Sequence, residues 1–453
     1  MNVNNNGGGK NTNTLQILRL TLLAAILALM TWLGYRHQLL GGGPAGSPTV
    51  DALCPFGGLE SLYSWIKDGS LLRRIAPSSL ILFAGTFVVT LLGGRLFCGW
   101  LCPLGALGEF VSAAAKKLGI RQLRLPDAAD RAARLLKYVV LALTLVFTWK
   151  LGTLAFRPFD PWAAWMHLSA IGGGELSLGL FVLAGLLVAG LFVERCWCRY
   201  LCPLGAALAL VSRFSFVKVR RSESKCLSCG KCARSCPMGL ACDREAAQKS
   251  GECIACGRCE TVCPAAGAIG AATPKTRLSF VSVGLAGVLL FAAVIAGAKG
   301  FGVWKTFAQP REAAAGAYSA DNIFGWMNVE QVAQATGLSA RSVLEAAGLP
   351  ADTPKDVSIK KLPGVNDEEL REKVRKYMED RAKTGTRDPQ EIRGSATFGG
   401  ICRDYGLEPQ ALLKALDLGA DTALDKPLKD IMKPAGREVQ EVRDRVAELM
   451  KKK

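Results

Sequence analysis

One cysteine pattern occurs twice in this chain: Cys226, Cys229, Cys232, Cys236-Pro237, and then Cys253, Cys256, Cys259, Cys263-Pro264. Three cysteines at every third position can wrap a compact centre, but a fourth ligand has to come from further away. A [4Fe–4S] cubane takes one thiolate per iron, and in two-cluster ferredoxins the last cysteine of each run serves the other cluster. The expected sets are therefore Cys226, Cys229 and Cys232 with Cys263, and Cys253, Cys256 and Cys259 with Cys236. Each proline turns the chain away from the centre just served. Gly230 and Gly257 hold equivalent places, where a small residue lets the backbone approach. Paired CxxC steps also hold structural zinc, but a third step and an x3-Cys-Pro ending are rare in zinc sites.

Half of the 453 residues are hydrophobic, too many for an ordinary soluble protein of this length. Five apolar stretches approach or reach bilayer length, at about 15–34, 78–97, 138–156, 176–193 and 278–298. The first has no A-x-A cleavage site ahead of the Gly-rich GGGPAGSP and reads as a span. Basic residues follow the second span (Lys116, Lys117, Arg121, Arg124, Arg131, Arg134) and the fourth (Arg195, Arg199, Arg213, Lys218, Arg220, Arg221). The positive-inside bias makes both segments cytoplasmic, so the cysteine arrays face the reducing compartment and the tail beyond the fifth span lies outside. Most of the net charge of +18 falls in this membrane half. It reads as an insertion and headgroup feature, with no nucleic-acid partner expected.

The membrane half is internally duplicated. FCGWLCPLGALGEF and WCRYLCPLGAALAL match, and upstream CPFGGLESLYSW resembles RPFDPWAAWMHL, with Cys54 in the place of Arg157. Two copies of span, PF loop, span and CxxxCP make a pseudo-symmetric four-span core, and ligand sites in such cores lie at the repeat interface. Within a helix Cys98 with Cys102, and Cys198 with Cys202, would each present two sulfurs on one face, and Pro103 and Pro203 would then stop it. Four facing thiolates suit an iron–sulfur cluster or zinc. A thiol–disulfide relay and plain packing of small residues are the competing readings. Cys54, Cys196, Cys242 and Cys402 fit no array and read as ordinary buried thiols.

With CGWLCPLG, CRYLCPLG, CLSCGKCARSCPMG and CIACGRCETVCPAAGA in hand, residues 15–272 resemble the membrane ferredoxins of NapH and NosR type. Those proteins serve periplasmic nitrate reductase and nitrous oxide reductase. The resemblance implies quinol dehydrogenase-like electron transfer between the quinone pool and a partner oxidoreductase, in a bacterial or archaeal cytoplasmic membrane. The chain departs from the larger type in lacking an S/T-G-A-T flavin-attachment sequence, since Gly394-Ser395-Ala396-Thr397 has the order scrambled, and in adding a fifth span and a tail. Quinol oxidation needs a proton acceptor beside a redox centre. His167, Glu60 and Asp160 in and near the PF loops are the candidates, although residues at such positions are commonly just solvated. His37 and His167 could also share a haem, but nothing else in the spans supports one.

The tail repeats too: GWMNVEQVAQATGLSARSVLEAAGLP is echoed by ATFGGICRDYGLEPQALLKALDLG. Each copy reads as two short helices around Gly337-Leu338 or Gly406-Leu407, a loop, and a charged amphipathic helix. The helix pair resembles a helix-turn-helix, but the near-neutral tail favours a docking module over DNA binding.

The expected fold is mainly α: a polytopic helical membrane protein with an inserted 2[4Fe–4S] ferredoxin-like α+β module and a small duplicated helical C-terminal domain. Its parts are a disordered N-terminus (1–14), a duplicated core (15–218), the ferredoxin-like domain (219–273), a fifth helix (277–299), a linker (300–322) and the two-repeat domain (323–453). Two functions remain open from sequence. One is a membrane electron-transfer subunit; the other is a membrane redox sensor signalling cluster state to the tail.

Overall fold

In the computed structural model, described residues run over 9–168, 178–308 and 319–451, except 45, 70, 73, 74, 245, 363, 364, 366, 385–388, 393, 395, 406, 420, 421, 423–425 and 434–436. Most of the expected disordered N-terminus, much of the expected linker, and Ser395 and Gly406 lie outside the described residues. The chain forms two compact units, Met1–Ala308 and Gln309–Lys453.

In the first unit, helices occupy all five apolar stretches: α1 (Gly9–Leu40), α3 (Pro77–Gly93), α6 (Asp127–Leu151), α8 (Leu178–Phe192) and α12 (Phe280–Gly300). Their order with the shorter helices is α1, α2 (Pro55–Asp68), α3, α4 (Leu96–Trp100), α5 (Pro103–Lys117), α6, α7 (Pro161–Met166), α8 and α9 (Pro203–Ser212). Among the described residues three helices are long and apolar enough to cross a bilayer, at Thr14–Leu40, Asp127–Leu151 and Phe280–Gly300. Over their described residues, α3 and α8 run 17 and 15 residues, fewer than the ~20 that a span usually needs.

The first PF segment, expected as a loop, instead starts a helix, and the second forms a 3-10 turn just ahead of one. Cys54-Pro55 opens α2 and Asp160-Pro161 opens α7, each after a 3-10 turn, Asp51–Leu53 or Arg157–Phe159. Proline suits this first helical position because its fixed φ is already helical and its missing N–H would have had no partner. This order makes Asp160, not Arg157, the structural mate of Cys54. Arg157 corresponds to the first turn, and it pairs across the repeat with Asp51 at 3.2 Å.

The ferredoxin-like module is built on a three-stranded antiparallel sheet, β1 (Lys218–Arg221), β2 (Ile269–Ala272) and β3 (Arg277–Leu278), with α10 (Lys231–Ser235) and α11 (Arg258–Thr261) carrying the arrays. It packs into the membrane half as one core, in which Cys256 and Cys259 join Leu96, Cys98, Trp100 and Phe280. Gly284 of α12 leaves room for the Trp100 indole, since a Cβ there would lie 2.1 Å from the ring.

The second unit has two copies of a helix pair and a closing helix: α13 (Val329–Thr336), α14 (Ala340–Ala347) and α15 (Asp367–Thr384), then α16 (Phe398–Asp404), α17 (Pro409–Ala415), α18 (Leu428–Met432) and α19 (Val439–Lys451). The copies share long-range details. Asn328 bridges to Ser358 and Thr397 to Pro427, while Arg371 donates to the Ile323 carbonyl and Arg443 to that of Ile392, at 2.9 and 2.8 Å.

Candidate functional site

Two cysteine-lined cavities lie in the ferredoxin-like module. The first, about 370 Å³, has Cys226, Cys229, Cys232 and Cys263 in its wall; the second, about 340 Å³, has Cys236, Cys253, Cys256 and Cys259. These are the crossed sets grouped from spacing. The two loops share a backbone signature: Ser228 and Ala255 both have φ of 51°, followed by Gly230 and Gly257 at 65° and 68°. The glycines are thus needed for left-handed backbone that caps α10 and α11, beyond the small size noted above. Non-glycine residues held in that region cost about 1–3 kcal/mol each and are kept where a loop must present its groups in one way.

The thiols differ in setting. Cys226 is held below its usual pKa by the Ser228 backbone N–H and then by Arg221, whereas burial pushes Cys253 up to about 12. A desolvated thiol of this kind calls for positive charge, which the irons of a cluster supply. Among the described residues no three His, Cys, Asp or Glu side chains gather closely enough for a single metal ion. Cys242, read from sequence as an ordinary buried thiol, also lines the second cavity and lies against Cys236 and Cys259.

The CxxxCP segments depart from the single helical turn expected of them. α4 ends at Trp100, and a π-turn in the second copy covers Trp197–Leu201. Cys102 and Cys202 lie just beyond as N-caps, accepting from the Gly105 and Gly205 amides at 3.4 and 3.2 Å. Pro103 and Pro203 begin helices here and do not end them, as proline at a first helical position does. Two sulfurs therefore stand at the positive ends of helices. The four thiols are close enough that Cys202 feels Cys198, Cys98 and Cys102.

Arg95 and Arg195, each three residues ahead of the first cysteine of its pair, cross between the copies. Arg95 donates to the Cys198 carbonyl at 3.1 Å and Arg195 to the Cys98 carbonyl at 2.8 Å. Both guanidinium groups are buried, with one Nε each lacking a partner. Arg95 pairs with Glu252 at 2.7 Å, and Glu252 also holds Lys137; Arg195 pairs with Glu109, which holds Arg19 and, at 2.8 Å, Arg258. Arg195 and Arg199, counted from sequence among lipid-facing charges, are thus buried in ion pairs, Arg199 with Asp130. The arginines were legible as an Arg-x-x-Cys step leading into the first cysteine of each pair; Glu109 and Glu252 carried no such signal.

This centre abuts the second cysteine loop. The Trp100 indole N–H donates to the Ala255 carbonyl at 3.0 Å, the Arg95 amide to the Cys253 carbonyl at 3.1 Å, and the Gln16 side chain to the Cys256 carbonyl at 2.9 Å. A Cβ on Gly99 would stand 2.0 Å from the Ile254 carbonyl oxygen, so the CxxxCP turn and the loop touch along their backbones.

The three candidate proton acceptors do not form one cluster. Glu60 is buried against α6, where it accepts from Thr148 at 3.0 Å, and Asp160 caps α7 through the Trp162 amide at 2.9 Å. Burial pushes Glu60 up to about 8 and Asp160 up to about 7, with Asp160 and Asp51 adding like charge at Glu60 and Asp51 adding it at Asp160. His167 stands instead beside His37, ring centroids 6.4 Å apart. Cys54 lies between the carboxylates and the CxxxCP helices, packing in apolar clusters with Leu104 and with Leu204 and Ala206.

A chain with three bilayer-length helices, two cysteine cages and a duplicated thiol centre is a membrane-bound iron–sulfur electron-transfer protein. A 4Fe-4S binding domain model matches twice, at residues 75–121 and 176–222, and a 4Fe-4S dicluster domain model matches 218–275. The chain is 32% identical over 202 residues to the putative electron transport protein YccM of Escherichia coli, covering 43% of this chain and 56% of YccM. It is 31% identical to the methylamine utilization ferredoxin-type protein MauN of Paracoccus denitrificans, over 48% of this chain and 72% of MauN. It is 29% identical to the ferredoxin-type protein NapH of Haemophilus influenzae, over 48% and 73%. The chain belongs to the NapH/NosR-type polyferredoxins. No solved structure matches it.

Proposed function

We propose that this protein exchanges electrons between the quinone pool and a partner oxidoreductase. Cys226, Cys229, Cys232 and Cys263 would hold one [4Fe–4S] cluster, and Cys236, Cys253, Cys256 and Cys259 the other. Cys98, Cys102, Cys198 and Cys202 would hold a third thiolate-bound centre between the two repeats. Such groups, when bound, supply one-electron redox chemistry. The observation that carries the reading is the seating of the CxxxCP turn on the second cysteine loop through Trp100 and Arg95. It joins the membrane half to the ferredoxin-like half at their redox residues. The cytoplasmic placement of the module and an extracytoplasmic tail remain part of this proposal.

Glu60 and Asp160 are the proposed proton acceptors for quinol, with His167 beside His37 as a further acceptor. A carboxyl raised to about 7 or 8 by burial holds its proton at lower pH and accepts one only after deprotonation. Cluster reduction by quinol is therefore expected to speed up as pH rises through roughly 7–8 and to level off above. Glu60→Gln and Asp160→Asn should each slow it about 100-fold and alter that profile. Stopped-flow absorbance of the clusters checks this; a flat profile in the native protein, or unchanged rates in both variants, removes the carboxylates from the reaction.

A further inference from the structure

We propose that the rim of the first cysteine cavity is the landing site of an acidic, soluble one-electron carrier; this rests on the reading above that the cavity holds a cluster. The two cysteine loops are alike in backbone but opposite in exposure. The second is buried against α4, with Cys256 and Cys259 in the core. In the first, Cys229 is exposed and Leu227 is 67% exposed at the tip. Among the described residues, no hydrogen bond or ion pair ties residues 225–232 to the membrane half.

Cations surround that tip. Lys225, Lys231, Arg234 and Arg244 are exposed, and Arg221 lies beside Cys226. Arg234 donates to the Cys229 carbonyl at 2.7 Å, which fixes its guanidinium at the rim. The acidic residues at hand are Glu223, 3.6 Å from Arg221, Asp127, 3.8 Å from Arg244, and Asp243 in the cavity wall. Lys225, Lys231 and Arg234 have no ion-pair partner among the described residues. One apolar tip inside a cationic collar fits a small, transient electron-transfer contact, in which charge complementarity sets the encounter rate. A lipid surface would call for an amphipathic helix, and α10, five residues long, has none to offer. The exchange moves one electron from the reduced protein to the carrier, with no proton or bond transferred.

The test uses the full chain in nanodiscs of zwitterionic lipid, reduced with dithionite and mixed in a stopped-flow with an acidic flavodoxin or with cationic cytochrome c. Flavodoxin reduction should fall about tenfold between low and physiological salt. Lys225→Glu with Lys231→Glu should slow it about tenfold and speed cytochrome c, while the EPR of both clusters persists. Should the double variant lose a cluster, Lys225→Gln with Lys231→Gln takes its place, with about a threefold slowing. Salt-independent rates, or unchanged rates in a variant with intact EPR, overturn the proposal. An effect seen only in anionic nanodiscs also overturns it, assigning the collar to headgroups. Absence of cluster EPR in the native protein would instead sink the electron-transfer reading beneath it.

Discussion

Serine at Cys263 is expected to remove the cluster held with Cys226, Cys229 and Cys232 and to spare the one beside its own run, lowering iron from about eight to about four per chain. Cys236→Ser should do the converse. Cys263 follows Cys259 by four residues yet stands in the wall of the other cavity. Combined variants decide the assignment, because two ligands of one cluster act as a unit and their losses do not add. Cys263→Ser with Cys229→Ser should be no worse than either alone, whereas Cys263→Ser with Cys256→Ser should leave almost no iron. The reverse pattern would mean that each run serves its own cluster. Cys236→Ser should also be the more destabilising single change, since its cavity adjoins the core shared with Trp100 and Cys98.

Cys98→Ser and Cys198→Ser are expected to slow cluster reduction by quinol 100-fold or more while dithionite still reduces both ferredoxin clusters. Rates measured anaerobically with each donor separate the two. These thiols stand between the PF helices with their carboxylates and the second cysteine loop, and Arg95 and Arg195 lock the two copies together around them. Iron above about eight per native chain, falling to about eight in both variants, would identify the third centre as an iron site. Equal quinol rates in native and variant protein would remove these cysteines from the path.

The cysteine cages were legible because their information is local: a thiolate every third residue and a proline at the end of each run describe a cage without reference to the rest of the chain. The five helices were legible for the same reason, through apolar length. What was misread depended on partners distant in sequence. Arg195 and Arg199 look like headgroup charges until Glu109 and Asp130, 86 and 69 residues earlier, come up against them. The Cys-Pro step of the CxxxCP motifs reads from sequence as a stop, although proline is equally at home at the first position of a helix, where Pro103, Pro203, Pro55 and Pro161 all stand. Cys242 lay outside every spacing rule, and only the fold brings it to the second cavity.

Quinone and the cysteine-held clusters are expected to exchange electrons within this one chain. EPR of the purified full chain, kept anaerobic, decides this: quinol is added to the oxidised protein and quinone to the dithionite-reduced protein. The reduced-cluster signal is expected to appear in the first case or collapse in the second, with Cys98→Ser blocking the change. Two intact clusters that respond to dithionite but to neither quinol nor quinone would contradict it.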